Sequence, residues 1–253
     1  MLPREHGAYG QLLFPLAAAL TIGTLTATAC ALAVAGIALF VSHEPLLIVL
    51  GQRGVRAERE QTRRAWRWLG GSVLVAAASG VTGILAAPPP VRAAVLLPLL
   101  LALALAGLIA ERREHTMAGE ILSAVALSSL SLPVAMAAGA TLQSAATCAL
   151  VFSLGFALAT VSVRSLVIGR RDRPEPPVRW LVTFLAAVSL ALVWGLERFE
   201  VVAPAAVWAI VPFCTAATTL AAIAPSPRRL RHIGWGLMLA GAASVAILIG
   251  SLR

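Results

Sequence analysis

Nine apolar runs follow one another along the chain, separated by short polar segments. They are predicted over residues 11–28, 29–50, 68–87, 91–110, 118–138, 143–168, 178–197, 202–222 and 232–250. Each is close to the roughly 20 residues that a helix needs to cross the hydrocarbon of a bilayer. Lipid offers the backbone no hydrogen-bond partner, so a helix, which satisfies its own amides, is the expected form of each run. The two-residue alternation of a membrane barrel is absent. Successive prolines in "APPPVR" at Ala87–Arg92 and "RDRPEPPVR" at Arg171–Arg179 make firm breaks, because proline denies the helix a donor. Only Thr24–Thr28 divides the first two runs. Gly and Ala recur throughout, as in "GGSVLVAAASG" from Gly70, which favours close helix packing. The fold class predicted is all-α: a polytopic integral membrane protein whose nine transmembrane helices form one bundle, with residues 1–253 as a single domain.

Composition sharpens this picture. Of 253 residues, 59% are hydrophobic and 12% charged, where soluble domains carry about 25% charged residues. The mean hydropathy is +0.89. The net charge of +9 does not indicate nucleic acid, because the basic residues lie in short loops and no soluble domain presents them. All 20 basic residues are Arg. GC-rich coding gives such a bias, and Arg also suits phosphate and carboxylate forks. With nine spans and the N-terminus inside, every Arg except Arg92, Arg198 and Arg253 falls on one side. The excess of positive charge on cytoplasmic loops then places the N-terminus in the cytoplasm and the C-terminus outside, in a bacterial inner membrane. Cys30, Cys148 and Cys214 sit singly in apolar runs without metal or redox spacing and read as packing residues. Leu12–Ala29 resembles a signal-peptide core but is long and runs straight into a second apolar stretch, so no cleavable signal is expected.

Most other polar residues gather on the same side. His6, His43, His115 and His232 fall at the cytoplasmic ends of spans, with Glu5, Glu44, Glu111, Glu114, Glu120 and Asp172; Glu197 and Glu200 lie opposite. A basic signal for orientation has no need of the Glu5–His6 pair. Each element also has a structural reading. "SHEPLL" at Ser42 suits an interfacial turn with Pro45 opening a new helical piece. "GQRGVRAERE" from Gly51 suits a solvated basic loop, and Ser162 and Ser165 suit helix packing. His232 suits an interfacial cap. The spacing of Glu111, Glu114, His115 and Ala118 predicts one shared helical face. Glu120 enters an apolar span, where a carboxylate is costly and therefore marks function. Arg164 also lies inside an apolar run, where it either snorkels to the interface or pairs with Glu120 or Glu44. His6, Glu44, Arg53, Glu120 and Arg164 are accordingly expected around one cytoplasm-facing cavity.

"PREHGAYGQLLFP", "HEPLLIVLGQRG" with Arg56 after it, and "EHTMAGEILSA" resemble the YwiC-like membrane proteins over most of the chain. More widely, nine spans with polar cytoplasmic loops after spans 2, 4 and 6 look like the UbiA superfamily of intramembrane prenyltransferases. That resemblance implies a UbiA-like bundle and a prenyl diphosphate held through magnesium by Asp-rich motifs after spans 2 and 6. Here Asp172 is the sole Asp. The first motif position offers His43 and Glu44, and the second offers Arg164, Arg170 and Arg171. Magnesium prefers clustered carboxylates with phosphate oxygens, so two magnesium sites of that kind are not expected and no cofactor is assigned.

The leading functional expectation is an enzyme acting on an isoprenoid or other membrane lipid with an anionic head group. Glu44, His115 and Glu120 are the candidate catalytic residues, for proton transfer or carbocation stabilisation; histidine titrates near neutral pH. Glu5, His6, His43, Arg53, Arg56 and Arg164 are the candidate binding residues, with Arg53, Arg56 and Arg164 clamping the head directly. A transporter for a small solute is the alternative, since buried charge and glycine-rich spans suit a substrate pathway. A metal-dependent membrane enzyme using His6, His43, His115, Glu44 and Glu120 is a third reading. A non-catalytic assembly protein is a fourth.

Overall fold

Apolar helices cross back and forth throughout the computed structural model, which describes residues 6–168, 176–225 and 230–253, with backbone alone at 6, 55–58, 167–168 and 176–179. Among the described residues the elements are α1 (His6–Ile22), α2 (Ala27–Val49), α3 (Val55–Ala86), α4 (Pro89–Ala110), α5 (Met117–Ser129), α6 (Ser131–Ala137), α7 (Leu142–Ile168), α8 (Pro176–Arg198), α9 (Ala205–Ile223) and α10 (Leu230–Leu252). Counting α5 and α6 as one, eight are long and apolar enough to cross a membrane, and α1 is a shorter apolar helix. This is a multi-pass membrane protein. The start of α1 and the turns after α2 and α4 share one end of the bundle with the ends of α7 and α9 and the starts of α8 and α10. We call it the arginine-rich end.

Local chemistry sets the boundaries. Thr26 caps α2 by accepting from the Ala29 amide at 3.0 Å, and Thr116 caps α5 by accepting from Gly119 at 3.2 Å. Pro89 opens α4, where a missing amide costs nothing. The fifth predicted span, continuous over 118–138, is instead broken at Leu130. Pro133 has no amide to offer the Ser129 carbonyl. The Ser129 and Ser131 hydroxyls bond back to Ala126 and Ser128 at 2.8 and 2.6 Å. Three other expectations are corrected. α1 ends at Ile22 rather than 28, because the Thr24 amide turns onto the Ala138 carbonyl at 2.7 Å. α2 runs straight through "SHEPLL": Glu44, Pro45, Leu47 and Ile48 are all buried, so packing holds Pro45 in the helix. The basic segment is helical from Val55 onward, well before the predicted residue 68, with Arg59, Arg63, Arg64 and Arg67 exposed along it. At 32 residues α3 is about 48 Å long, more than the roughly 30 Å of hydrocarbon, so its basic turns extend past the apolar layer.

α7 is the hub, packing against α1, α5, α6, α8, α9 and α10, whereas α3 rests on α2 and α4 on α5 and α6. At the α7–α9 crossing Phe213 stands edge-on to Phe156, ring centroids 5.1 Å apart, and lies over Gly155. A Cβ on residue 155 would sit 2.3 Å from that ring, so only glycine allows the approach.

Gly155→Ala should therefore cost about 1–3 kcal/mol by overpacking and lower the unfolding midpoint in detergent. Gly70→Ala, whose Cβ meets open space, should leave it unchanged. Reporter fusions at Arg59 and Arg253 should map to opposite sides of the membrane; the same side for both would refute the nine-crossing arrangement.

Candidate functional site

A cleft of about 1380 Å³ opens at the arginine-rich end between α1, α5, α7 and α10, with His43 of α2 and Leu105 of α4 at its edge. Its polar lining comprises Tyr9, Gln11, His43, Glu114, His115, Glu120, Ser123, Thr160, Arg164 and Arg231. Phe156, Ala159, Val163, Trp235, Leu237 and Met238 supply apolar wall. From Arg164 to Phe156 the wall descends eight residues of α7, about 12 Å. The cleft thus grades from charged at the bundle end to apolar inside.

The turn between α4 and α5 builds most of the charged end. Residues 111–116 are not the helical face that their spacing predicts. Arg112 takes a left-handed φ of 58°, and the Arg113 amide bonds back to the Leu108 carbonyl at 2.8 Å, ending α4. Thr116 then caps the new helix. Gly119 lets the turn fold back onto α5, since a Cβ there would lie 2.4 Å from the Glu114 carbonyl oxygen. The fold-back buries the Glu114 carboxylate, 8% exposed, between two imidazoles. His43 Nε2 hydrogen-bonds Oε2 at 3.1 Å, and His115 Nε2 lies 3.2 Å from Oε1.

Arg164 locks this turn to α7. One guanidinium nitrogen pairs with Glu120 Oε1 and the other donates to the His115 carbonyl at 2.8 Å. The pair is about a quarter to a third exposed, so solvent screens part of its attraction.

Four of the sequence candidates, His43, His115, Glu120 and Arg164, therefore line one cleft. Glu44 and Arg53 do not. They pair with each other at 2.6 Å, away from the cleft lining, with the Glu44 side chain 5% exposed. Beside them Gln52 Nε2 donates to the Ile109 carbonyl at 2.8 Å, tying the α2–α3 turn to α4. Glu5 lies outside the described residues, as do the side chains of His6 and Arg56. The loop-6 positions Arg170, Arg171 and Asp172 lie outside them too. His232 is exposed in the first turn of α10 and does not line the cleft. Sequence reasoning passed over Glu114 as one carboxylate among several, and Arg231 as an orientation charge. The adjacency of Glu114 to His115 was the available signal. Among the described residues no three His, Cys, Asp or Glu side chains converge as a metal site.

A family model described as YwiC-like protein matches residues 2–136, just over half of the chain. The chain belongs to the YwiC-like family. Among curated proteins and among solved structures none matches it. The YwiC-like match takes in α1 to α5 and nearly all of α6, including His43, Glu114, His115 and Glu120, and stops before Arg164 and the remaining walls of the cleft.

Arg164 and Glu120 should behave as one unit in this YwiC-like protein. In a double-mutant cycle of Arg164→Ala and Glu120→Ala, the coupling should be about 1–2 kcal/mol by unfolding in detergent. Additive losses would mean that the contact carries no stability.

Proposed function

We propose that this YwiC-like protein is an inner-membrane protein that binds an isoprenoid or similar membrane lipid in the cleft and acts on its head group as an enzyme. The observation that carries this reading is the grading of one cleft from apolar wall to a charged, imidazole-bearing end. At about 1380 Å³ it exceeds the roughly 300–1,000 Å³ of ordinary small-molecule pockets, and a long-chain amphiphile would use that extra room. The head would sit among His43, His115, Glu120 and Arg164, and the tail against Phe156, Val163 and Met238. His115 and Glu120 are the proposed proton-transfer groups. The arginine-rich end faces the cytoplasm, because basic residues are retained on that side. The resemblance to the prenyltransferase superfamily supports the same substrate class through sequence pattern alone.

A transporter is the second reading. The break at Leu130 favours it, since interrupted helices build transport sites, and the buried Ser128 hydroxyl beside the break has no partner among the described residues. Against it, the charged lining lies at one end of the bundle rather than at mid-depth.

The purified protein in nanodiscs should bind farnesyl-tailed amphiphiles, and Val163→Trp should weaken that binding by roughly tenfold or more, about 1.4 kcal/mol, by filling the tail's path. Uptake of a soluble solute into vesicles, with no affinity for any farnesyl compound, would overturn the enzyme reading.

A further inference from the structure

The proposed lipid reading leaves the head group open, and the charges of the cleft bear on it. The lining carries two carboxylates, Glu114 and Glu120, and two guanidinium groups, Arg164 and Arg231. Arg164 is already engaged by Glu120 and by the His115 carbonyl. Arg53, which pairs with Glu44, lines no part of the cleft. Only the exposed Arg231 remains as a cleft-lining guanidinium with no ion pair among the described residues. A diphosphate entering here would bring two to three negative charges beside two carboxylates, and like charges at close range are strongly unfavourable.

The same lining is well equipped for an uncharged hydroxyl. In the neutral-ring tautomer that donates to Glu114 Oε2 across 3.1 Å, the His43 proton sits on Nε2. The ring's Nδ1 then carries a lone pair. It has no protein partner among the described residues, and the ring lines the cleft. A buried carboxylate that holds one imidazole nitrogen is the usual device for setting what the other nitrogen does. The second imidazole against Glu114, that of His115, keeps the carboxylate in place from the other side.

We propose that Nδ1 of His43, oriented by Glu114, is the acceptor for a hydroxyl head group, and that the lipid bound in this cleft is an amphiphilic alcohol or phenol rather than a diphosphate ester. Glu114 is a positioning residue; His43 makes the contact. This rests on the lipid reading above, and the two fail separately.

The test uses the full chain in zwitterionic nanodiscs with two probes that share a tail, farnesol and farnesyl diphosphate. Binding is followed by tryptophan fluorescence, with Trp235→Phe as the blank for the cleft. Farnesol should bind at least roughly tenfold tighter than farnesyl diphosphate. His43→Ala and Glu114→Gln should each weaken farnesol by roughly tenfold, as loss of one hydrogen bond requires, whereas the diphosphate should stay within about twofold in His43→Ala and bind no more weakly in Glu114→Gln, which removes a carboxylate that repels it. Should Glu114→Gln fail to fold, His43→Asn carries the same comparison. Tighter binding of the diphosphate, or equal losses for both heads, overturns the hydroxyl assignment and leaves the lipid reading standing. Failure of both probes to bind overturns the two together.

Discussion

A charge that enters hydrocarbon must bring its own partner, and the pairing of Arg164 with Glu120 answers that demand for α5 and α7. Much of the arginine-rich end follows from it. The pair fixes the first turn of α5 against the last turns of α7. The spare guanidinium nitrogen then reaches the His115 carbonyl and holds the turn 111–116 over the cleft. With that turn held, Glu114 is buried and becomes available to His43 from α2, a residue 71 positions away in the chain. One ion pair thus organises groups from four elements. The absence of a side chain at Gly119 matters for the same reason, since it gives the turn room to fold back.

The opposite end of the bundle is held by other means. There the Thr24 amide and hydroxyl both reach the Ala138 carbonyl, the Thr147 hydroxyl accepts from the Ala203 amide, and the Ser244 hydroxyl donates to the Ala209 carbonyl. All but the first of these bonds join backbone to short side chains between neighbouring segments. They satisfy main-chain groups that lipid would leave stranded. Glu197, half-buried, and Glu200, exposed, are at that end, and neither lines the cleft. The division follows from packing. Small hydroxyls and glycines allow helices to close together at one end. At the other end the Arg164–Glu120 pair ties α5 to α7 and the His43–Glu114 contact ties the α4–α5 turn to α2, beside a space that ions and imidazoles line.

The crossings were legible in the sequence because hydropathy and proline breaks act locally; α4, α7 and α9 fall within a few residues of their predicted bounds. The errors came where tertiary contact overrides local preference. Pro45 stays helical because Glu44, Leu47 and Ile48 are packed around it. The spacing of Glu111, Glu114 and His115 imitates a helix that Arg112 and the Thr116 cap interrupt. The pairing of Arg164 with Glu120 was foreseeable because both charges lie inside apolar runs and each needs an opposite. The His43–Glu114 contact was not, since nothing in either segment specifies that α2 should end beside the α4–α5 turn. Likewise the nine-residue spacing of Glu44 and Arg53 hid a local pair that removes both from the cleft.

The excess of arginine therefore has two separable consequences. On α3, Arg59, Arg63, Arg64 and Arg67 lie exposed along turns that pass beyond the apolar layer, with Trp66 and Trp68 exposed among them. Arg and Trp in that position suit a membrane–water interface, where they set how the bundle sits. Inside the cleft the described charges balance, two carboxylates against two guanidinium groups. A net charge of +9 is thus a property of the chain's surface and turns more than of its cleft. Selectivity at a charge-balanced site depends on which hydrogen-bonding atoms remain free once the ion pairs have formed. Here Glu120 and the His115 carbonyl engage two of the three Arg164 nitrogens, and Glu114 engages one nitrogen of His43. Among the described residues, the second nitrogen of that imidazole and the Arg231 guanidinium are two groups of the lining that these contacts leave open to a ligand.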